Sequence, residues 1–190
     1  MNPPNARRLG ATEWLPAERL GQLDMDARMR PWLIGKGLIT LRMKEACGDR
    51  FDSHLIEQWT GLLSDAHRSS LRVADSAGLF RNVELCCAGQ VWVFAETVIP
   101  DSTLCAYPWL GELGDASLGE FLSELSGVER SSFEYAYVPA QDPLAVRALR
   151  GAEIAPAGLW ARRSRIQFRG VPLLSHEVFL PSTGRIGPGS

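Results

Sequence analysis

Apolar and polar side chains alternate most clearly between Leu79 and Cys87, where Leu79, Arg81, Val83, Leu85 and Cys87 share one face and Phe80, Asn82, Glu84 and Cys86 the other. Ala88, Gly89 and Gln90 predict a turn, and Val91 to Ile99 a return arm stopped by Pro100. Both faces of that arm are apolar, as in a central strand. A second hairpin is predicted from Leu159 to Arg169 and Leu173 to Leu180, with Gly170-Val171-Pro172 as its turn. In its first arm Trp160, Arg162, Ser164, Ile166 and Phe168 share a face. Ala161, Arg163, Arg165, Gln167 and Arg169 form the other, which reads as solvent-facing. Short strands are also expected at Ser53 to Trp59 and Phe133 to Val138.

Helical spacing is weaker. Leu33, Ile34, Leu38, Leu41 and Met43 suit a helix broken by Gly35 and Gly37, and Ser117 with Glu120 has capping-box spacing ahead of Leu118, Phe121, Leu122 and Leu125. A helical turn is expected near Leu144 to Leu149, within the connection Pro139 to Ala157. Residues 1–30 read as a loosely ordered lead-in that turns helical near Ala17 to Met29, residues 31–183 as one domain, and 184–190 as a flexible tail. Antiparallel hairpins interleaved with single helices predict an α+β fold rather than a parallel nucleotide-binding sheet.

At 190 residues, 45% of them hydrophobic, the chain can bury a single core without a metal or disulfide. Its net charge of -2 gives no field to attract nucleic acid or anionic lipid, so a small-molecule partner is expected. A monomer is the expected state, although no residue pattern fixes it. Cys47, Cys86, Cys87 and Cys105 form no CxxC pair and read as reduced, buried thiols. No signal-peptide core or membrane span is legible, which places the chain in the cytoplasm.

The chemistry lies in charges on apolar faces. A buried arginine costs several kcal/mol unless paired, so Arg81 and Arg162, both inward, need carboxylates. Glu177 is a candidate buried acid, between Ser175 and Phe179 on the last strand. From the residues alone, a structural pair of either arginine with Glu177 and a ligand site are equally open. The helix start at Ser117 would favour a bound anion, although most such ends hold only water. His54, His67 and His176 lack ligand spacing, so no metal is expected, and each reads as a surface or packed histidine. P-loop, nucleophile-elbow and dinucleotide motifs are missing, and Arg162-Arg163-Ser164-Arg165 is a weak nucleic-acid signal.

The segment GLWARRSRIQFRGVPLLSHEVFLP, Gly158 to Pro181, resembles the closing hairpin of bacterial chorismate pyruvate-lyases. LFRNVELCCAGQVWVFAETVIPDSTL, Leu79 to Leu104, and SLGEFL, Ser117 to Leu122, are similar to two further blocks of that family, with weaker similarity from Pro31 to Trp59. The resemblance implies one antiparallel sheet with flanking helices and a cofactor-free site beneath mobile flaps. It implies a carbon-oxygen lyase that splits chorismate into 4-hydroxybenzoate and pyruvate and retains the aromatic product, the first committed step toward ubiquinone. By position, Arg81 with the backbone N–H groups of Ile39 and Leu118 would bind the ring carboxylate, and Glu177 the hydroxyl at the far side. Glu96 stands where the family usually has arginine, so the contact with the second carboxylate is expected to be missing or moved to Arg162. Asn82 replaces an acidic residue, and Leu38 replaces a serine helix cap. The alternatives are a noncatalytic aromatic-acid-binding module of the related effector-domain fold, or a degenerate lyase. No DNA-reading helix-turn-helix is legible in the first 78 residues.

Overall fold

Among the described residues eight strands, antiparallel at every pairing, form one sheet in the order β1-β6-β7-β8-β4-β3-β2, and the short β5 pairs with β7 beside β6. The computed structural model describes residues 12–22, 25–116, 118–123, 125–150 and 156–185. The strands are β1 (Leu15–Pro16), β2 (Phe51–Leu62), β3 (Ala77–Cys87), β4 (Gln90–Pro100), β5 (Val128–Arg130), β6 (Glu134–Pro139), β7 (Gly158–Phe168) and β8 (Val171–Phe179). Their order makes the two hairpins, β3–β4 and β7–β8, the centre of the sheet. Both hairpins turn through two residues at positive φ, Ala88-Gly89 and Arg169-Gly170, as the twist of the paired strands requires. Val171 and Pro172, expected in the second turn, belong to β8.

The α-helices are α1 (Met29–Ile34), α2 (Ile39–Cys47), α3 (Asp65–Leu71), α4 (Asp101–Ala106), α5 (Leu118–Ser123) and α6 (Pro143–Ala148). The Gly35-to-Leu38 segment divides α1 from α2, and Leu38, the residue before α2, gives no side-chain cap. Ser117 and the Glu120 side chain, which carried the expected capping box, lie outside the described residues. A capping box does begin α3: Ser64 Oγ accepts from His67 N–H, and His67 Nδ1 accepts from Ser64 N–H. Near the N-terminus β1 pairs with β6, and a 3-10 helix spans Ala17–Gln22.

The two faces of the sheet carry separate cores. On the front, α1 and α2 pack over Val83, Leu85, Trp92, Val93 and Phe179, while α5 and a 3-10 turn at Pro108–Gly111 pack over Leu79, Ile99, Ile166, Phe168 and Leu173. On the back, α6 covers Phe94, Ala161 and Val178, and Leu71 of α3 joins Phe80, Val98 and Leu174. The face of β7 expected in solvent is therefore partly covered. Ala161 is fully buried, and Arg163 is half-buried with its guanidinium over Trp14.

Two cysteines are bonded rather than reduced. Cys47, ending α2, and Cys87, ending β3, form a disulfide with Cα atoms 5.7 Å apart, because the helix packs its last turn on the hairpin's end. Cys86 stays a buried free thiol pushed up to about 11 by burial, and Cys105 is exposed.

Candidate active site

Between the two front cores the sheet turns polar, and there it is not filled. A cavity of about 30 Å³ is lined by Ile39 and Thr40 of α2, Arg81 and Val83 of β3, Thr97 of β4, Leu118 and Gly119 of α5, Arg130 of β5, Ile166 of β7, and Ser175 and Glu177 of β8. That is room for one or two waters and less than an aromatic ring fills. A larger cleft of about 310 Å³ adjoins it and shares Leu38, Gly119, Arg130 and Ile166.

Arg81 is 1% exposed. Its Nη2 donates to Gly114 O and, at 2.7 Å, to Ala116 O, while its Nε has no partner. Among the described residues no carboxylate forms an ion pair with it. Burial holds its guanidinium below the usual arginine range, partly offset by the nearby Asp115 charge. Among the described residues, this desolvated cation at the cavity wall is balanced by the two carbonyl dipoles and, at longer range, the Asp115 charge.

Glu177 lies across the cavity. Arg162 Nε donates to its Oε2 at 2.5 Å, and Arg130 Nη1 lies 3.6 Å from its Oε1. Arg162 is fully buried, donates also to Leu33 O and Gly35 O at the end of α1, and packs its guanidinium on Phe133. It is not on the cavity wall. Of the residues singled out in the sequence, Ile39, Arg81, Leu118 and Glu177 meet at one void, and Arg162 stands behind Glu177 as its ion-pair partner.

Arg130 was not legible as a site residue, because three residues of β5 are too few for alternation to show which way it faces. It lines both cavity and cleft, donates to Ser164 Oγ at 2.9 Å, and is held below the ordinary arginine range chiefly by burial, against the pull of Glu177.

Glu96 does not belong to this site. Its neighbours across the sheet are Asn82 and His176, and continuing the row gives Glu57, Asn82, Glu96, His176, Arg163 and Glu134, one residue from each of six strands. This row lies on the back face. There Arg147 of α6 donates to Glu96 at 2.5 Å, Asn82 donates to Glu57 at 2.9 Å, and Arg163 donates to Glu134 at 2.8 Å. Burial pushes the Glu96 carboxyl up against the pull of Arg147. Burial, reinforced by Arg163, His67 and Arg147, holds His176 well below the usual histidine range. The expectation that Glu96 replaces a substrate-facing cation is corrected by strand parity: the residue before Thr97 points away from Arg81.

Solved structures of the same fold include the effector domain of PhnF from Mycobacterium smegmatis, with a TM-score of 0.56 at 16% identity over 78% of this chain and 91% of that one. A GntR-family transcriptional regulator from Bacillus cereus gives 0.54 at 11% identity over 75% and 99%. The class is thus a single antiparallel sheet with flanking helices. The family model described as chorismate lyase matches residues 9–186, and the chain belongs to that family. Its relatives include a probable chorismate pyruvate-lyase from Pseudomonas putida, 36% identical over 90% of each chain. A chorismate pyruvate-lyase from Erwinia tasmaniensis is 31% identical over 94% of this chain and 91% of its own.

Proposed function

We propose that the chain is a chorismate pyruvate-lyase that releases 4-hydroxybenzoate and pyruvate from the cavity between Arg81 and Glu177. The observation that carries this reading is a fully buried guanidinium without an ion-pair partner among the described residues, facing a void whose opposite wall is a carboxylate. An anionic aromatic ligand supplies the charge that Arg81 lacks, through a two-pronged contact for which arginine is suited. The backbone N–H groups of Ile39 and Leu118, each the first residue of a helix, complete the carboxylate's shell. Glu177, held in direction by Arg162, accepts from the ring hydroxyl. Arg130 takes the enolpyruvyl carboxylate, because it alone of the three inner arginines borders both the cavity and the cleft.

In the reaction the ring gives up its C4 hydrogen, the C3 ether bond breaks, and the departing enolpyruvate gains a proton at its methylene carbon to become pyruvate. The ring becomes aromatic, so the step needs neither oxidant nor cofactor once the substrate is held. Catalysis is then mainly positioning, with Arg130 stabilising the charge that moves onto the leaving group. Closure of α2 and α5 over so small a void supports slow release of the aromatic product. The proposed enzyme is a cytoplasmic monomer feeding ubiquinone synthesis. Incubation with chorismate, followed by ultraviolet loss and chromatography, tests it. Equal amounts of 4-hydroxybenzoate and pyruvate are expected; 3-hydroxybenzoate, or binding without turnover, would exclude this lyase.

A further inference from the structure

The direction of the Arg81 guanidinium is set from outside the cavity. Its acceptors, Gly114 O and Ala116 O, lie on the loop that leads into α5, where residues 114–116 are exposed and Gly114 has a φ of +56°. Such a loop has little core of its own to fix it. What ties it down lies on β2, the edge strand. Asp115 Oδ1 accepts from Leu55 N–H at 2.9 Å, Asp115 O accepts from Ser53 Oγ at 3.0 Å, and Gly111 O accepts from Gln58 Nε2 at 2.9 Å. The Leu55 tie falls where the β2–β3 register shifts, between Leu55 and Glu57.

We infer that Asp115 is a positioning residue for the lyase site: by fastening the loop to the outer edge of β2, it holds the carbonyls of Gly114 and Ala116 where they aim Arg81 into the cavity. The inference rests on the proposed lyase reading. The path is short. Asp115 lies between Gly114 and Ala116, so a shift of its backbone moves both acceptors together, and Leu118, on the cavity wall, follows two residues beyond Ala116. Misplacing a ligand-binding group by about an ångström is enough to weaken the grip on a ligand carboxylate. Asp115 does not line the cavity, so apart from its charge its effect passes through this loop.

Two substitutions separate the tie from the charge, since the carboxylate also acts on Arg81 through space. Asp115→Ala removes both, whereas Asp115→Asn keeps an acceptor for Leu55 N–H and removes the charge. The assay combines steady-state turnover of chorismate, equilibrium binding of 4-hydroxybenzoate, and amide exchange at Leu55. In Asp115→Ala, KM for chorismate and Kd for 4-hydroxybenzoate are expected to rise about three- to tenfold, the size of one ordinary net hydrogen bond, without a fall in kcat. Exchange at Leu55 quickens, and melting temperature stays within a few degrees. Asp115→Asn restores affinity and protection to within about twofold. Unchanged affinity in Asp115→Ala beside an active wild type would overturn this inference and leave the lyase reading standing. Equal loss in both variants would assign the effect to charge and overturn it too. A wild type inert toward chorismate would remove the lyase reading and the inference together.

Discussion

Arg81 and Arg162 are both buried on one face of the sheet, and replacing each by methionine should give opposite results. Arg162 donates to Glu177 at 2.5 Å and to two backbone carbonyls, so Arg162→Met leaves a carboxylate and the end of α1 without their donors. Breaking a buried pair from one side costs about 3–5 kcal/mol. Arg81 has no such partner among the described residues. Its loss frees Gly114 O and Ala116 O, which lie on exposed residues and can turn to water, and it removes a desolvated charge. Arg81→Met should therefore leave stability within about 1 kcal/mol of wild type, a shift of only a few degrees in Tm for a chain of this size. Binding should behave in the reverse way. Two charge-assisted bonds to a ligand carboxylate at about 1.5 kcal/mol or more each give about 3 kcal/mol, so Kd for 4-hydroxybenzoate rises at least about 100-fold. The assay is thermal unfolding of both variants without ligand, beside calorimetric titration with 4-hydroxybenzoate. A loss of 3 kcal/mol or more in ligand-free Arg81→Met, or near-normal affinity in it, would refute the reasoning, because Arg81 would then be a structural residue.

Arg130→Met should lower kcat/KM for chorismate at least about 100-fold while changing Kd for 4-hydroxybenzoate far less, since only the substrate carries the second carboxylate; parallel losses would place Arg130 on the ring instead. Reducing the Cys47–Cys87 bond opens a loop of 40 residues and should cost about 4 kcal/mol, or on the order of 10 °C in melting temperature. An unchanged melt in dithiothreitol, or four free thiols in unreduced protein, would contradict the bond. His176 is buried and held neutral, with Glu96, Arg163, His67 and Arg147 as its charged or titratable neighbours. Below the ordinary histidine value of 6.5 the unfolded chain binds a proton that the folded chain refuses, so stability falls as pH falls, by up to about 1.4 kcal/mol per unit. His176→Gln should flatten that slope between pH 6.5 and 5, and an unaltered slope would show that His176 does not carry it.

The first hairpin was legible because alternation over the nine residues Leu79 to Cys87 fixes which side chains share a face, and that alone put Arg81 inward; the last strand is apolar on both faces, which made Glu177 no more than a candidate buried acid. Parity also held the answer for Glu96: as the neighbour of Thr97 on a central strand it had to face away from Arg81. Position in a family motif suggested otherwise, and the geometry of the strand decides. Pairing was less legible. Nothing local shows that Arg162 rather than Arg81 reaches Glu177, since this depends on β7 lying beside β8 while β3 is separated from β8 by β4. The shortest strands, β1 and β5, escaped because two or three residues are too few for a period. The helix α3 hid behind a capping box that uses His67 in place of an acidic side chain. Cys47 and Cys87 are 40 residues apart, and only the packing of α2 on the end of β3 brings them together.

The most direct test is a crystal structure of the protein with 4-hydroxybenzoate. The account predicts the ligand between the parted α2 and α5, its carboxylate on the Arg81 guanidinium and its hydroxyl against Glu177. A ligand bound elsewhere, or lying in this cavity with its carboxylate on Arg130 and Arg81 left on its loop carbonyls alone, would contradict it.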